Sequence, residues 1–331
     1  MNVKGGIDLG GTKIQAVVMG PRGKVVGEAK LPTPEEGGPP AVVEQIVEAM
    51  REAASMAGVG TDELAGVGLG SPGAVDAEAG IVAGARNLPD WEEAFPLALA
   101  LSERLGCPVA LGNDVQVAVD GEFALGAGRR NSSLLGVWWG TGVGGGIILG
   151  GKPWIGRGAA AEIGHIVVKM GGARCTCGRD GCMEAYAGRG AMEIEARRQV
   201  KKGHETELFD IMEKRGRTRL QSGIWARALE REDPLAVKLI DRAVEALGAG
   251  VASVVNVLDV EAVVIGGGLG TRLGEPYVER IREAMQPHLF VSDRPPAVRS
   301  AALGDLGGAI GASLLVKGRA RARKPAAGLA E

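Results

Sequence analysis

Gly6-Ile-Asp8-Leu-Gly10-Gly11-Thr12-Lys13-Ile14-Gln-Ala-Val-Val-Met19 opens the chain with an apolar run, a small polar turn and a second apolar run. A strand, a glycine turn and a returning strand account for that order, because short apolar runs flanking glycines read as a hairpin. The same device returns as Leu134-Leu-Gly-Val-Trp-Trp139, the loop Gly140-Thr-Gly-Val-Gly-Gly-Gly146, and Ile147-Ile-Leu149. Two copies predict a duplicated half. Between them, Pro39 and Pro40 open a helix whose Val43, Ile46, Met50 and Ala54 recur at helical spacing. A strand is expected over 64–69, a loop or short hairpin over 76–86, a helix over 92–105, a strand over 108–112 and a helix over 115–125. Farther on, the pattern predicts a long helix over 234–258, a buried strand over 260–265, a glycine-rich turn over 266–270 and a last helix over 307–316. Alternation of this kind predicts an α/β fold with helices covering a sheet.

At 331 residues and 45% hydrophobic, the chain fills one large domain or two of ordinary size. Its formal net charge of -2 gives no electrostatic reason to expect nucleic acid or an anionic membrane as partner. The 55 glycines exceed twice the usual share of about 7%, so many backbone segments turn sharply or approach a neighbour closely. Four cysteines are too few for a disulfide framework and favour a reducing compartment. With no apolar stretch of roughly 18 residues and no signal-peptide core at the start, the expected location is cytoplasmic. The basic end, with a tail over 318–331, is expected to be flexible and solvated.

Glycine turns between strands tighten a hairpin, or they aim successive N–H groups at one anion. Taken singly, each of the three turns fits the first reading. The first also carries Asp8, Thr12 and Lys13: a carboxylate for hydrated magnesium, a hydroxyl, and a cation for phosphate oxygens. Rival nucleotide motifs fail on context. Both Gly68-Leu-Gly70-Ser-Pro-Gly73 and Gly140-Thr-Gly142-Val-Gly-Gly145 match G-x-G-x-x-G, but neither leads into a helix, which excludes a dinucleotide fold. No Gly-Lys pair precedes Ser or Thr, which excludes a P-loop, and Leu69 two residues before Ser71 breaks the hydrolase elbow.

The most specific local pattern is Glu162-Ile-Gly-His165 followed by Cys175-Thr-Cys177-Gly-Arg-Asp-Gly-Cys182-Met-Glu184. One imidazole and three thiols suit a closed tetrahedral zinc site, structural because no coordination position stays open. Unrelated buried thiols, or a disulfide from Cys175 or Cys177 to Cys182, are the alternatives; the composition argues against the disulfide. Cys107 reads as an inert core residue, and His204 and His288 as solvated. A clamp on this segment would hold Glu162, His165 and Glu184 at fixed separations, as reading sugar hydroxyls requires.

Asn113-Asp114 stands where a strand meets a helix. An Asp there serves equally as a helix cap or as a base. In the company of phosphate loops, Asp114 would accept the proton of an attacking hydroxyl while Asn113 orients it.

Across nearly the whole chain these motifs resemble the ROK sugar kinases, within the superfamily of actin, heat-shock proteins and hexokinase. The resemblance rests on Asp8-Leu-Gly-Gly-Thr-Lys13, Gly70-Ser-Pro-Gly-Ala-Val-Asp76, Asn113-Asp114, the 140–146 loop, Glu162-Ile-Gly-His165, the three-cysteine segment and Val264-Ile-Gly-Gly-Gly-Leu-Gly270. It implies a two-domain actin/hexokinase-like fold, a duplicated ribonuclease H-like unit with a central cleft. The expected domains are 1–112 with a C-terminal helix over 305–317, and 113–304 carrying the zinc segment 165–182. It implies ATP and Mg²⁺ at Asp8, Gly10, Gly11, Thr12, Lys13, Gly140, Thr141, Gly142, Gly266, Gly267 and Gly268. It implies a hexose at Gly73, Asn87, Asn113, Asp114, Glu162, His165 and Glu184, with Asp114 as catalytic base. Structural zinc would sit on His165, Cys175, Cys177 and Cys182. The implied activity is ATP-dependent phosphorylation of a hexose, D-glucose first, with mannose, fructose or an N-acetylated amino sugar as alternatives and polyphosphate as an alternative donor. Asn87-Leu-Pro-Asp-Trp91 is similar to the glucokinase branch. Gln116 stands where the family commonly has Asn, and Ala74 favours an unsubstituted hexose. Sugar-sensing repressors of the family carry a helix-turn-helix ahead of the first phosphate loop; that loop at Gly10 points to the enzyme instead. A homodimer or homotetramer is expected, with no nucleic-acid or membrane partner.

Overall fold

A computed structural model of the protein describes residues 3–85 and 87–316. Strands β1 (Lys4–Leu9) and β2 (Lys13–Met19) pair antiparallel from Lys4↔Met19 to Leu9↔Ile14, the hairpin its apolar runs predict. β3 (Val25–Pro32) adds to β2. Helix α1 (Gly38–Met56) opens with its prolines and buries Val43, Ile46, Met50 and Ala54, so one apolar stripe seats it on the sheet. The chain then enters β4 (Val67–Ser71), parallel to β1. A hairpin of β5 (Ala74–Asp76) and β6 (Ile81–Ala83) follows, then α2 (Leu97–Leu105), β7 (Val109–Asn113) parallel to β4, and α3 (Asp114–Leu125). The sheet order is β3-β2-β1-β4-β7.

The second sheet repeats that plan. β8 (Leu134–Trp139), β9 (Val143–Leu149) and β10 (Lys152–Pro153) form an antiparallel meander. After the cysteine segment come α4 (Glu184–Ala187), α5 (Arg189–Val200), α6 (Leu208–Lys214), α7 (Ser222–Glu230) and α8 (Pro234–Leu258). β11 (Ala262–Gly266) lies parallel to β8 and leads into α9 (Gly267–Leu273) and α10 (Glu275–Met285). β12 (Ala297–Ser300) pairs parallel with β11, and α11 (Gly307–Ser313) ends the described elements. The order β10-β9-β8-β11-β12 matches the first sheet strand for strand, with the same parallel and antiparallel pairings.

Two compact units result: Met1–Val117 with Gly308–Glu331, and Ala118–Gly307. The first division falls inside α3, which follows β7 without a break. Each unit has its own buried cluster, around Ile7, Ile46, Leu69 and Trp91 in the first and Trp139, Trp225, Leu247 and Ile265 in the second. In the first unit, β1 and β4 receive α11 directly: a Cβ on Gly6 would stand 2.0 Å from the Ala309 carbonyl oxygen, and one on Gly68 1.8 Å from that of Ala312. Glycine there lets helix backbone lie on strand backbone.

Several boundaries differ from expectation. The helix expected from 92 starts at Leu97: Pro96 holds Phe95 extended, and Phe95 exchanges both backbone hydrogen bonds with Val82 at 2.9 and 3.0 Å. The strand expected from 64 starts at Val67, since Thr61–Glu63 form a 3-10 turn in which the Glu63 carboxylate accepts from the Gly60 N–H at 2.7 Å. The turn expected over 266–270 is the end of β11 and the first turn of α9. The tail over 318–331 lies outside the described residues. Among them, no helix is long and apolar enough to cross a membrane.

Candidate functional site

In the first unit, the candidate residues collect at the carboxyl ends of the parallel strands β1, β4 and β7, where open α/β sheets place ligands. The β1–β2 turn is closed by the Gly10 N–H donating to the Lys13 carbonyl at 3.0 Å, and Thr33 donates its hydroxyl to the Gly10 carbonyl at 2.6 Å. Gly11 touches the loop bearing Asn87: a Cβ on it would stand 2.5 Å from the Asn87 carbonyl oxygen. Lys13 Nζ donates to Gln15 at 2.5 Å, and Thr12 is exposed. Asp8 ends up beside Gly308, whose added Cβ would lie 2.6 Å from the Asp8 carboxyl carbon. Gly73 takes φ +89°, a conformation that favours glycine, just past β4.

Asn113 and Asp114 bond differently at the junction of β7 and α3. The Asn113 Oδ1 accepts from the Val115 and Gln116 N–H groups, both at 3.1 Å, which is the bonding of a helix cap. Asp114 begins α3 instead. Its Oδ1 accepts from Asn113 Nδ2 at 3.1 Å and from the Val115 N–H at 2.9 Å, so the carboxylate is oriented by its neighbour.

In the second unit, Gly140–Gly142 form the β8–β9 turn, closed by the Gly140 N–H on the Gly142 carbonyl at 3.0 Å. Gly267, at φ +81°, would bring a Cβ within 2.7 Å of the Trp139 carbonyl oxygen; only glycine fits where α9 leaves β11 against β8. Gly266 ends β11, and Gly268 is the neighbour of Gly140, its N–H 3.8 Å from a Cβ placed there. Glu184 joins the turn to the cysteine segment: its Oε2 accepts from the Val143 N–H at 3.0 Å and its Oε1 from Thr176 Oγ1 at 3.3 Å. Glu162 is exposed, with Oε2 3.9 Å from His165 Nε2.

The ligand atoms of His165, Cys175, Cys177 and Cys182 all lie within 4.8 Å of one another. His165 Nδ1 is 3.7 Å from Cys175 Sγ, and Cys177 Sγ is 3.7 Å from Cys182 Sγ. With zinc–sulfur bonds of 2.3 Å, a tetrahedron has sulfur–sulfur edges of about 3.8 Å, so the spacing fits that ion. All three thiols are free, which removes the disulfide alternative. Hydrogen bonds from the Arg179 side chain and backbone lower Cys177 to about 6, whereas burial, reinforced by the neighbouring thiols, pushes Cys182 up to about 12. A divalent cation would let three crowded sulfurs be thiolates together.

Sequence reading missed Thr33, Arg189 and Ser222. Arg189 donates from Nη2 to Thr141 Oγ1 at 2.8 Å and from Nη1 to Ser222 Oγ at 2.9 Å. Its local signal, an arginine between glycines at 188–190, says nothing of a partner 48 residues away.

The duplicated sheets and the residues gathered at their strand ends define a sugar kinase of the actin and hexokinase class. Residues 4–319 match the ROK family. The glucokinase of Thermotoga maritima is 35% identical over 291 residues, 87% of this chain and 88% of that one. Among solved structures, a ROK family glucokinase from Streptomyces griseus in complex with glucose and AMPPNP superposes with a TM-score of 0.79 at 32% identity, covering 95% of this chain and 99% of that one. The ROK hexokinase of Thermus thermophilus gives 0.77 at 35% identity, covering 95% and 97%. The chain belongs to the ROK family.

Proposed function

We propose that this protein transfers the terminal phosphoryl group of ATP to the 6-hydroxyl of D-glucose, giving glucose 6-phosphate and ADP. The observation that carries the reading is Asp114 just past the end of β7, its carboxylate oriented by the Asn113 amide and the Val115 N–H while Asn113 caps the Gln116 N–H. Asp114 takes the hydroxyl proton as the sugar oxygen bonds to the γ-phosphorus and the bond to the ADP oxygen breaks. Base catalysis of this kind contributes typically about 10²–10⁴-fold; positioning and charge neutralisation supply the rest. Asp8 is the carboxylate for hydrated magnesium, which takes one or two protein carboxylates and otherwise phosphate oxygens and water; bound there it would neutralise charge on the phosphates. Gly10, Gly11, Thr12, Lys13, the 140–142 turn and Gly266–Gly268 are the ATP-facing segments. Gly73, Asn87, Asn113, Glu162, His165 and Glu184 are the groups for the sugar hydroxyls.

Zinc on His165 Nδ1, Cys175, Cys177 and Cys182 would be structural, holding the segment from Glu162 to Glu184 rigid. That leaves His165 Nε2, near Glu162, for a sugar hydroxyl. A cytoplasmic location and a homodimer or homotetramer complete the reading. Assays of sugar-phosphate formation over glucose, mannose, fructose and N-acetylglucosamine, with ATP and polyphosphate as donors, and of ADP release with ATP, test it. The highest kcat/KM is expected for glucose with ATP; no ADP release with any hexose overturns the assignment.

A further inference from the structure

Arg189 lies between the β8–β9 turn and the start of α9, two segments that this reading gives to the nucleotide, and nothing in the reading uses it. Helix α5 begins at Arg189, and its first N–H groups bind the β8–β9 turn: Arg189 N–H to the Gly140 carbonyl at 3.1 Å and Gly190 N–H to the Thr141 carbonyl at 3.0 Å. The side chain then spans outward. One guanidinium nitrogen donates to Thr141 Oγ1 at 2.8 Å and the other to Ser222 Oγ at 2.9 Å, where α7 begins. Ser222 in turn faces α9, its Oγ 3.5 Å from where a Cβ on Gly268 would stand. One planar fork thus ties the Gly140–Gly142 turn to the partner of Gly268.

The charge around it is unbalanced. The carboxylate that acts on it, Glu193, is already shared: it accepts from Arg197 at 2.8 Å and Arg219 at 3.1 Å, and from the Leu220 N–H at 3.0 Å. The partners of Arg189 are hydroxyls, which orient a guanidinium without neutralising it. Burial, and then repulsion from Arg219, lower its pKa below the usual arginine value. A half-buried cation whose side-chain partners are hydroxyls, set between the β8–β9 turn and the start of α9, gains from an anion arriving there.

We propose that Arg189 is a positioning residue for the phosphoryl donor: its guanidinium clamps Thr141 to Ser222, presets the β8–β9 turn and the glycine-rich start of α9 for a nucleoside polyphosphate, and is neutralised when that anion binds. The proposal rests on the assignment of these segments to ATP. The side chain is specific in form as well as charge, since lysine has the cation but not the fork that reaches two hydroxyls at once.

Steady-state kinetics with ATP and glucose varied separately, together with calorimetry of ADP binding, provide the test. Loss of a charge-assisted pair predicts that Arg189→Ala raises KM for ATP and Kd for ADP by about tenfold to a hundredfold, with KM for glucose within about twofold of wild type. Arg189→Lys falls between the two. Millimolar guanidinium ion partly restores Arg189→Ala. Ser222→Ala, which keeps the cation, raises KM for ATP by less, and the double variant is no worse than Arg189→Ala alone, because both remove one clamp. Unchanged ATP and ADP parameters in a folded Arg189→Ala protein overturn the proposal, as does an equal rise in KM for both substrates. If Arg189→Ala fails to fold, Ser222→Ala decides: a KM for ATP equal to wild type overturns the clamp. Wild-type protein that phosphorylates no hexose would instead sink the proposed function, and ADP calorimetry on the same variants still reads Arg189.

Discussion

The two sheets share strand order, pairing sense and the position of the hairpin turn, yet the turns are equipped by different means. In the first, Asp8, Thr12 and Lys13 come from the hairpin itself. In the second, Thr141 is the only side chain among Gly140–Gly142, and the turn is furnished from afar: Glu184 binds the Val143 N–H, α5 binds the Gly140 and Thr141 carbonyls, and Arg189 binds Thr141 Oγ1. The strand ends differ too. β7 runs straight into α3 through Asn113 and Asp114, whereas β12 reaches α11 only after a 3-10 turn at Gly304–Leu306. A duplicated scaffold therefore gives two equivalent addresses at the carboxyl ends of parallel strands, and loop residues decide what chemistry each performs. The Asn113–Asp114 pair belongs to one copy. The four-ligand cluster belongs to the other.

The largest effect should come from removing the group that most distinguishes the first copy. Asp114→Asn keeps the hydrogen bond acceptor for the Val115 N–H but cannot take a proton. The expected outcome is a loss of about 10²–10⁴-fold in kcat, with glucose binding by calorimetry and the thermal unfolding midpoint near wild type. Turnover close to normal would remove Asp114 as base.

The second copy is tested at the four residues proposed to hold zinc. Cys177→Ser should abolish stoichiometric zinc in elemental analysis of the purified protein and lower the unfolding midpoint by several degrees, with weaker glucose binding, since metal affinity adds directly to folding free energy. Chelation of the wild-type protein should reproduce the shift. Wild-type protein that folds and binds glucose normally without zinc would break this half of the comparison.

What could be read from the chain follows the range of each interaction. The Leu9–Ile14 hairpin, the α1 stripe, and α8 with Pro234 first and Asp233 capping the Ala236 N–H at 2.8 Å all declare themselves within a few residues. So does the cysteine cluster, whose three thiols span few positions. Long-range pairings do not. Buried Glu122 accepts from the Ala302 N–H at 3.0 Å and the Leu303 N–H at 2.8 Å, some 180 residues away, and no local pattern marks it. The start of α9 was hidden for a different reason. Gly266-Gly-Gly-Leu-Gly270 has the propensities of a turn, and packing of Gly267 against Trp139 makes it helical regardless.

A smaller effect compares one position in both copies. Gly6 is the third residue of β1 and Gly136 the third of β8. A Cβ on Gly6 meets backbone, the Ala309 carbonyl oxygen at 2.0 Å; a Cβ on Gly136 meets a side chain, Val119 Cγ2 at 2.1 Å. A valine methyl can yield by a change of rotamer, and a helix carbonyl cannot. Gly136→Ala should cost about 1–3 kcal/mol and Gly6→Ala distinctly more, measured by denaturant unfolding of each variant. Equal costs would mean that α11 shifts on its sheet as readily as Val119 turns.

The smallest effect is electrostatic and separates α5 from α1. Glu195 on α5 accepts from Arg198 through two nitrogens, each at 2.7 Å, and from Gln199 at 2.6 Å; the Arg198 hydrogen bonds hold its carboxyl down at about 2. On α1, Glu44 is also held below its usual range by Arg104, but both members of that pair are exposed to solvent. A carboxyl whose folded value lies below its unfolded one stabilises the fold above the unfolded value, and that contribution fades as pH falls toward the folded one. For Glu195 the window runs from about 4.5 down to about 2. Screening at the half-exposed Arg198 limits the contribution at neutral pH to about 1 kcal/mol. Glu195→Gln should therefore lower stability at pH 7 by that amount and leave it unchanged at pH 2, while Glu44→Gln gives a flatter difference across the same range. Denaturant midpoints measured from pH 2 to 7 decide it: identical pH profiles for the two variants would show that the Glu195 pair is as solvated as its counterpart on α1.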